Sequence, residues 1–414
     1  MAAGLVGSEI LAIAADIRER LSRGEEICNL TVGDFSPAQF GIPAALRDGI
    51  ASALAQGHTN YPPSSGIPEL RAAVARLFER RLGLTYPVGS VLIASGARPL
   101  IYGTYRAVVD RGDRVVYPVP SWNNNHYTDM LGADGVPVSC GPDTRFLPTR
   151  EDLARVLPGA RLLCINSPLN PTGTAIEADA LRGICEEIVA ENHARRKSGQ
   201  RPLYLMYDQV YWMLRVPGVE HVTPPGLVPE MADYTIFVDG ISKAFAATGL
   251  RVGWTVGPAD VIERMGVILG HVGAWAPRPE QHATSALLDD DAAMDAYVAE
   301  LMQGLGARLE RLYQGFSTLA KEGLLVEAIP PMGAIYLTVR VHPFGRRTPS
   351  GTVLSTNEDV RRYLLDAARV AVVPFQAFGV VGDEGWFRLS VGAVGLAELD
   401  GALERLGQAL RVLD

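Results

Sequence analysis

The chain has 414 residues, 48% of them hydrophobic and 20% charged, a balance that excludes a disordered chain and supplies apolar groups for more than one core. Its 46 acidic residues outnumber 38 basic ones, for a net charge of −8, so no overall basic field exists to hold a nucleic-acid backbone or an anionic lipid surface. No apolar run approaches the ~20 residues that a membrane helix needs, and a cytoplasmic protein of enzyme size is expected.

In chain order, the first feature is a short apolar stretch, Ile10 to Ala15, with no basic segment before it and Asp16, Arg18 and Glu19 soon after. It reads as an amphipathic helix rather than a secretion signal. Residues 66–81 place Ile67, Leu70, Val74, Leu77 and Phe78 on one helical face. Six segments, 90–95, 113–118, 161–166, 202–208, 234–239 and 251–256, are short and rich in β-branched residues. Several are unbroken apolar runs, as in strands buried on both faces. Helical stretches at 97–111, 122–131 and 177–196 separate them, and this alternation predicts an α/β unit with a mainly parallel central sheet flanked by helices.

A long helix is predicted at 290–322, and beyond it the pattern changes. Strands are expected at 324–329, 334–341, 370–375 and 386–391, with helices near 357–369 and 395–412. Leu396, Leu399, Leu403, Leu406 and Leu410 stripe the last of these. This predicts a second, smaller α+β domain. Two polar segments, 194–202 and 342–356, read as surface loops. The four cysteines, Cys28, Cys140, Cys164 and Cys185, show no CxxC and no metal-ligand spacing; buried, reduced thiols are expected and no metal site.

Only three of the basic residues are lysine, namely Lys197, Lys243 and Lys321. A reaction that needs an amine nucleophile has just these candidates, because arginine stays protonated. Lys197 and Lys321 stand among charged neighbours and fit solvated surface positions. Lys243 follows an apolar strand through Gly240 and Ser242, at the end of a strand where open α/β sheets bind ligands. Partial desolvation there favours an imine-forming amine. Ser242 and Arg251 offer a hydroxyl and a fork for one phosphate, and the turn Gly96-Ala97-Arg98, between a strand and a helix, offers free backbone N–H groups for the same anion. Three phosphate-ready elements around one lysine point to a phosphorylated aldehyde cofactor. Asp208, at the end of its strand, suits a pyridinium nitrogen. Tyr211 and Asn170 suit the ring's phenolic oxygen, and Trp122 suits its face. Each also has an ordinary structural use: a helix cap, a turn at Asn170-Pro171-Thr172-Gly173, or core aromatics.

In order and spacing these residues resemble the class I/II aminotransferases, the fold-type I pyridoxal-phosphate enzymes. The resemblance runs from Asn29 to the C-terminus. It is carried by Gly33 in TVGDF, Tyr61 in YPPSSG, the SGA turn, GDRVVYPVPSW, NPTG, Asp208-x-x-Tyr211, Ser242-Lys243, Gly249-x-Arg251 and Arg388 in WFRLS. It implies pyridoxal 5′-phosphate as cofactor, with Lys243 as the Schiff-base lysine and Asp208 as the pyridinium partner. Asn170 and Tyr211 resemble the phenolate partners, Trp122 the stacking ring, and Ser242, Arg251, Gly96, Ala97 and Arg98 the phosphate cup. Arg388, with Gly33 beside it, resembles the fork for the substrate α-carboxylate, where Trp122 and Asn170 also face the substrate. Tyr61 resembles the tyrosine that reaches a neighbouring subunit's phosphate, which implies a homodimer.

The implied organisation is an N-terminal arm with part of the small domain (1–45), a large cofactor-binding domain (46–290) and a small C-terminal domain (291–414). The implied activity is transamination between an L-amino acid, of aspartate, aromatic or related type, and a 2-oxo acid in ping-pong order. The alternative is a lyase or cyclase, such as a C–S lyase, on the same cofactor. The fold also serves as the effector half of DNA-binding regulators, but before Asn29 there is one helix and no basic recognition helix. Three departures bear on the subgroup: Arg98-Pro99 in the phosphate turn, Gln209 where many members carry Glu, and extra residues between NPTG and Asp208, assigned to the 194–202 loop. Arg98 and Arg278 are the cations considered for a second substrate carboxylate; Trp275 would instead line an apolar pocket.

Overall fold

The computed structural model describes residues 9–414; residues 1–8 of the expected N-terminal arm lie outside the described residues. The apolar runs form a seven-stranded sheet from β1 (Val91–Ala94), β2 (Arg114–Val119), β3 (Asp134–Ser139), β4 (Ala160–Asn166), β5 (Tyr204–Asp208), β6 (Thr235–Gly240) and β7 (Gly253–Val256). The order is β1-β7-β6-β5-β4-β2-β3. The pairs from β6 to β3 are parallel, whereas β7 runs antiparallel to both β1 and β6. Edge strand β3 was not foreseen: most of its residues are exposed and Pro137 interrupts it, so it presents no apolar run.

Register sets the site. Asp208 at the end of β5 lies opposite Asn166 of β4 and Val238 of β6, so the carboxyl ends of the parallel strands open on one crevice. Helices α1 (Glu9–Ser22), α2 (Pro68–Leu82), α3 (Ala97–Val108), α4 (Asn124–Leu131) and α5 (Ala178–Ser198) occupy this half of the chain. The predicted stripe of α2 is buried along its length, and Gly83, at φ 67°, caps the helix in the left-handed region that its lack of Cβ permits. The 194–202 segment corrects the loop expected there. Helix α5 continues to Ser198 with Arg195, Arg196 and Lys197 in its last turn and Gly199 as its cap. Cations at a helix C-terminus suit the macrodipole, and the polarity taken for a loop is that of a helix end.

Beyond α6 (Arg278–Leu288) and the long α7 (Asp291–Lys321), β8 (Val326–Ala328), β9 (Tyr336–Val341), β10 (Val373–Pro374) and β11 (Trp386–Ser390) form an antiparallel sheet in the order β10-β11-β9-β8. It packs with α7, α8 (Asn357–Ala367) and α9 (Leu396–Arg411). Leu399, Leu406 and Leu410 of the predicted stripe are buried, whereas Leu396 at its start is exposed. A short parallel pair, Cys28–Asn29 with Val370–Ala371, and the Ser390 amide donating to Leu30 O bring residues 31–35 to the crevice. All four cysteines are buried and unpaired. No helix among the described residues is long and apolar enough to cross a membrane.

Candidate active site

At the carboxyl ends of the parallel strands lies a cavity of about 530 Å³. Gly33, Ala97, Arg98, Trp122, Asn170, Asp208, Tyr211, Ser242, Lys243, Arg251 and Arg388 all line it. Gly96 holds the turn beside it, and of the proposed site residues only Tyr61 stands apart.

Lys243 sits on a helical turn, Ile241–Ala244, entered through Gly240. A Cβ on Gly240 would come within 2.7 Å of Val252 O, so the close approach of β6 and β7 requires glycine and delivers the lysine at the crevice. The Lys243 Nζ is half-buried and donates to Gly33 O at 2.6 Å.

Asp208 is half-buried at the cavity wall, and its Oδ1 accepts from the Val210 amide at 3.2 Å. Burial pushes it up to about 7, opposed by that amide and by the charge of Lys243. Such a group favours a cation arriving in the cavity. Asn166 braces the strand ends: its Nδ2 donates to Asp208 O at 2.9 Å and its Oδ1 accepts from the Asn170 amide at 2.7 Å.

Arg388, on the central strand β11, is 2% exposed. Its Nη2 donates to Thr31 O at 2.6 Å, its Nη1 donates to Asn170 Oδ1 at 3.2 Å, and its Nε has no partner. The guanidinium lies 4.7 Å from the Tyr336 ring centre and 4.9 Å from that of Phe378. No carboxylate balances it among the described residues, and desolvation lowers its pKa. A buried cation without a counterion is costly unless an anion binds. Gly33 keeps the approach open, because a Cβ there would lie 2.9 Å from Tyr336 Oη and 3.6 Å from Arg388 Nη1.

Tyr336 is the residue that sequence reasoning missed. Its hydroxyl is 2.8 Å from that of Tyr211, so it joins the fork to the residue proposed for the cofactor oxygen. In the sequence it is one more aromatic in an apolar strand; only its register opposite Ser390, two residues beyond Arg388 on β11, distinguishes it.

At the other end, Arg251 donates from Nη1 to Thr248 O at 2.6 Å and from Nη2 to Ser95 O at 3.1 Å. This fixes its fork beside Gly96, whose φ of 88° and contact with the guanidinium leave no room for a side chain. Pro99 has no N–H, so the first-turn donors of α3 facing an anion are the amides of Ala97 and Arg98. Ser242 is half-buried on the same side.

A family model described as aminotransferase class I and II matches residues 25–406. The chain belongs to this family. Among curated relatives, the aspartate aminotransferase of Rhizobium meliloti is 32% identical over 407 residues, 97% of this chain and 93% of that protein. The crystal structure of the Rhizobium meliloti aspartate aminotransferase superposes with a TM-score of 0.90 at 29% identity, covering 100% of this chain and 98% of the other. That of the Thermus thermophilus enzyme with maleate gives 0.87 at 29% identity, covering 99% and 98%.

In this aminotransferase the remaining candidates separate clearly. Arg98 contributes its backbone to the turn after Gly96, and its guanidinium stacks 4.6 Å from the Trp122 ring centre at the cavity wall, where its charge, after desolvation, helps lower the pKa of Arg251. Arg278 and Trp275 are not among the residues lining the cavity of their own chain. Arg278 bonds to Asn60 Oδ1, and Trp275 meets the edge of Tyr61 at 5.1 Å. Tyr61 itself is 82% exposed.

Proposed function

We propose that this aminotransferase uses pyridoxal 5′-phosphate to move an amino group between an L-amino acid of aspartate type and a 2-oxo acid, in ping-pong order. The observation that carries the reading is one cavity that brings together a buried arginine with no carboxylate partner and a free Nε, a carboxyl group whose pKa is raised by desolvation despite the charge of Lys243, and a positioned amine. The donor set fits the cofactor. Ser242, Arg251 and the Ala97 and Arg98 amides would hold its phosphate, Asp208 its ring nitrogen, Asn170 and Tyr211 its phenolic oxygen, and Trp122 its face. When bound, the group supplies an electron sink for the substrate's Cα and a carbonyl carbon that the lysine can attack.

The protein's own groups do the rest. Arg388 grips the substrate carboxylate through two parallel N–H donors and so fixes the direction of the Cα–H bond. Lys243, released from its hydrogen bond to Gly33 O, takes the α-proton on Nζ and returns it at the next stage, acting as nucleophile and general base in turn. Tyr336 keeps the hydroxyl of Tyr211 directed.

Support for the dicarboxylate donor comes from Arg98 at the cavity wall, from relatives named aspartate aminotransferase, and from maleate, a dicarboxylate, with the Thermus thermophilus enzyme. The test is a panel of amino donors with 2-oxoglutarate, comparing wild type with Arg98→Gln. Aspartate should be the better donor, and the substitution should lower its kcat/KM by ~10-fold, the worth of one charge-assisted bond, while leaving phenylalanine within about twofold. Release of a leaving group without amino transfer would instead indicate the lyase reading.

Arg388→Lys should retain the cofactor's absorbance yet lose ~10- to 100-fold in kcat/KM for amino acids, the ~1.5–3 kcal/mol of a charge-assisted contact. Amines without an α-carboxylate should be unaffected; an equal loss with them would make Arg388 a structural residue. The proposal includes a homodimer in which Tyr61 serves the neighbouring phosphate site, supported by its exposure. The division 1–45, 46–290 and 291–414 is proposed on the separate seven- and four-stranded sheets and on the short pair that joins Cys28–Asn29 to Val370–Ala371, and a cytoplasmic location on the four unpaired thiols.

A further inference from the structure

The residues next to the cavity side chains carry a second network on the opposite face of the sheet. Asp208 and Tyr211 line the cavity, whereas Gln209 and Trp212, one position beyond each, are buried away from it. Asp239 likewise follows Val238, the register partner of Asp208, and leads through Gly240 into the turn that carries Lys243. Side chains alternate across a sheet, so one pair of strand ends feeds both faces.

The Asp239 carboxyl group accepts from Trp212 Nε1 at 2.8 Å and from the Gly240 amide at 2.7 Å. Gln209 anchors its backbone to Val238 O at 2.9 Å, and its Oε1 lies 3.2 Å from His221 Nε2. Its Nε2 is buried without a partner in hydrogen-bond geometry. Burial pushes Asp239 up to about 8; the Gly240 amide, Trp212 and Gln209 oppose the rise, none of them a cation, while the charge of Asp208 adds to it.

We propose that Asp239 is a positioning residue for transamination: its carboxyl group ties the segment bearing Asp208 and Tyr211 to the turn bearing Lys243, and the neutral Gln209 is what allows an acid to occupy that place. Trp212 directly follows Tyr211 in the chain, and the Asp239–Trp212 bond therefore sets the spacing between cofactor partners and lysine from behind. A glutamate at 209 would bring a second carboxylate into the same dry space, where two acids cannot both ionise. Positions 209 and 239 are thus coupled, an acid at one requiring a neutral group at the other.

The inference rests on the transaminase reading. Its test is a double-mutant cycle on the cofactor-loaded enzyme with Gln209→Glu, Asp239→Asn and both together, plus Asp239→Ala. The readouts are kcat and KM taken separately, the pH at which the bound cofactor's absorbance changes, and the melting temperature. Asp239→Ala should lower kcat by ~10- to 100-fold, the effect of a small misplacement, with KM within about twofold. Asp239→Asn, which keeps an acceptor for the indole, should stay within about fivefold of wild type. Gln209→Glu alone should lower kcat at least ~10-fold, shift the absorbance transition and lower the melting temperature, and adding Asp239→Asn should restore all three. Independent, additive effects of the two substitutions, or a kcat indifferent to Asp239→Ala, would overturn the proposal. If the wild type transfers no amino group, the functional reading falls alone, because the melting temperatures of the four proteins of the cycle still decide the pairing.

Discussion

Lys243→Ala is expected to yield a folded protein with transamination lowered at least ~10²- to 10⁴-fold, the contribution of a positioned proton-transfer group, and further by loss of the nucleophile. Lys197 and Lys321 cannot replace it: both are exposed in the last turns of α5 and α7. Folding should be little affected, since the substitution removes one hydrogen bond, to Gly33 O, at the wall of an open cavity, typically worth ~0.5–1.5 kcal/mol. The check is borohydride reduction of the loaded protein followed by peptide mapping. Wild type should carry the cofactor on the peptide containing Lys243 and the variant should carry none. A small primary amine added to the variant should restore part of the rate, because the cavity then regains a base. Turnover within about tenfold of wild type, or a label on Lys197 or Lys321, would refute the assignment.

The legible parts of this fold and site share a physical cause. Strands buried on both faces must be apolar throughout, so β2, β4, β5 and β6 announce themselves, whereas β3, exposed at the sheet edge, has no such obligation. Lys243 and Asp208 stood out because charge is costly at the end of an apolar strand, whereas Arg388 was reached only through the family resemblance. Tyr336 and Asn166 carried no such contradiction; their importance lies in what register and packing bring beside them, across distances in sequence that no local pattern spans. The segment 194–202 misled because cations favoured by a helix C-terminus and cations favoured by a solvated loop look alike in one dimension. Arg278 was a fair candidate by charge alone, and only the fold turns it away from its own cavity toward Asn60. The pairing of Gln209 with Asp239 was half visible, as a departure from the family's usual glutamate, but its counterpart lies on another strand.

Asp208→Asn separates the two consequences of burying that carboxyl group. In the loaded enzyme the variant should keep the cofactor yet lose ~10²-fold or more in kcat, because an amide cannot stabilise the positive charge that makes the ring an electron sink. In the protein freed of cofactor the same change should help stability at neutral pH. The folded-state pKa is raised to about 7 by burial, against ~3.9 for an unperturbed aspartate. Below pH 4 both folded and unfolded chains hold the proton, and the group costs nothing. Between about pH 4 and 7 the folded chain keeps a proton that the unfolded chain has released, so stability falls as pH rises through that window and levels off above it. Asparagine has no proton to release, and the variant should lack this limb. Asp239, pushed up to about 8 mainly by its own burial, adds a falling slope to both proteins, a little shallower in the variant because the charge of Asp208 no longer contributes to that rise, so its effect runs in the same direction as the expected gain. Denaturant unfolding of the two cofactor-free proteins from pH 4.5 to 8 should therefore show the variant gaining on wild type until near pH 7. A constant difference across that range would mean that Asp208 is ionised throughout in the free protein, and that a nearby cation, with Lys243 the first to test, already answers its charge.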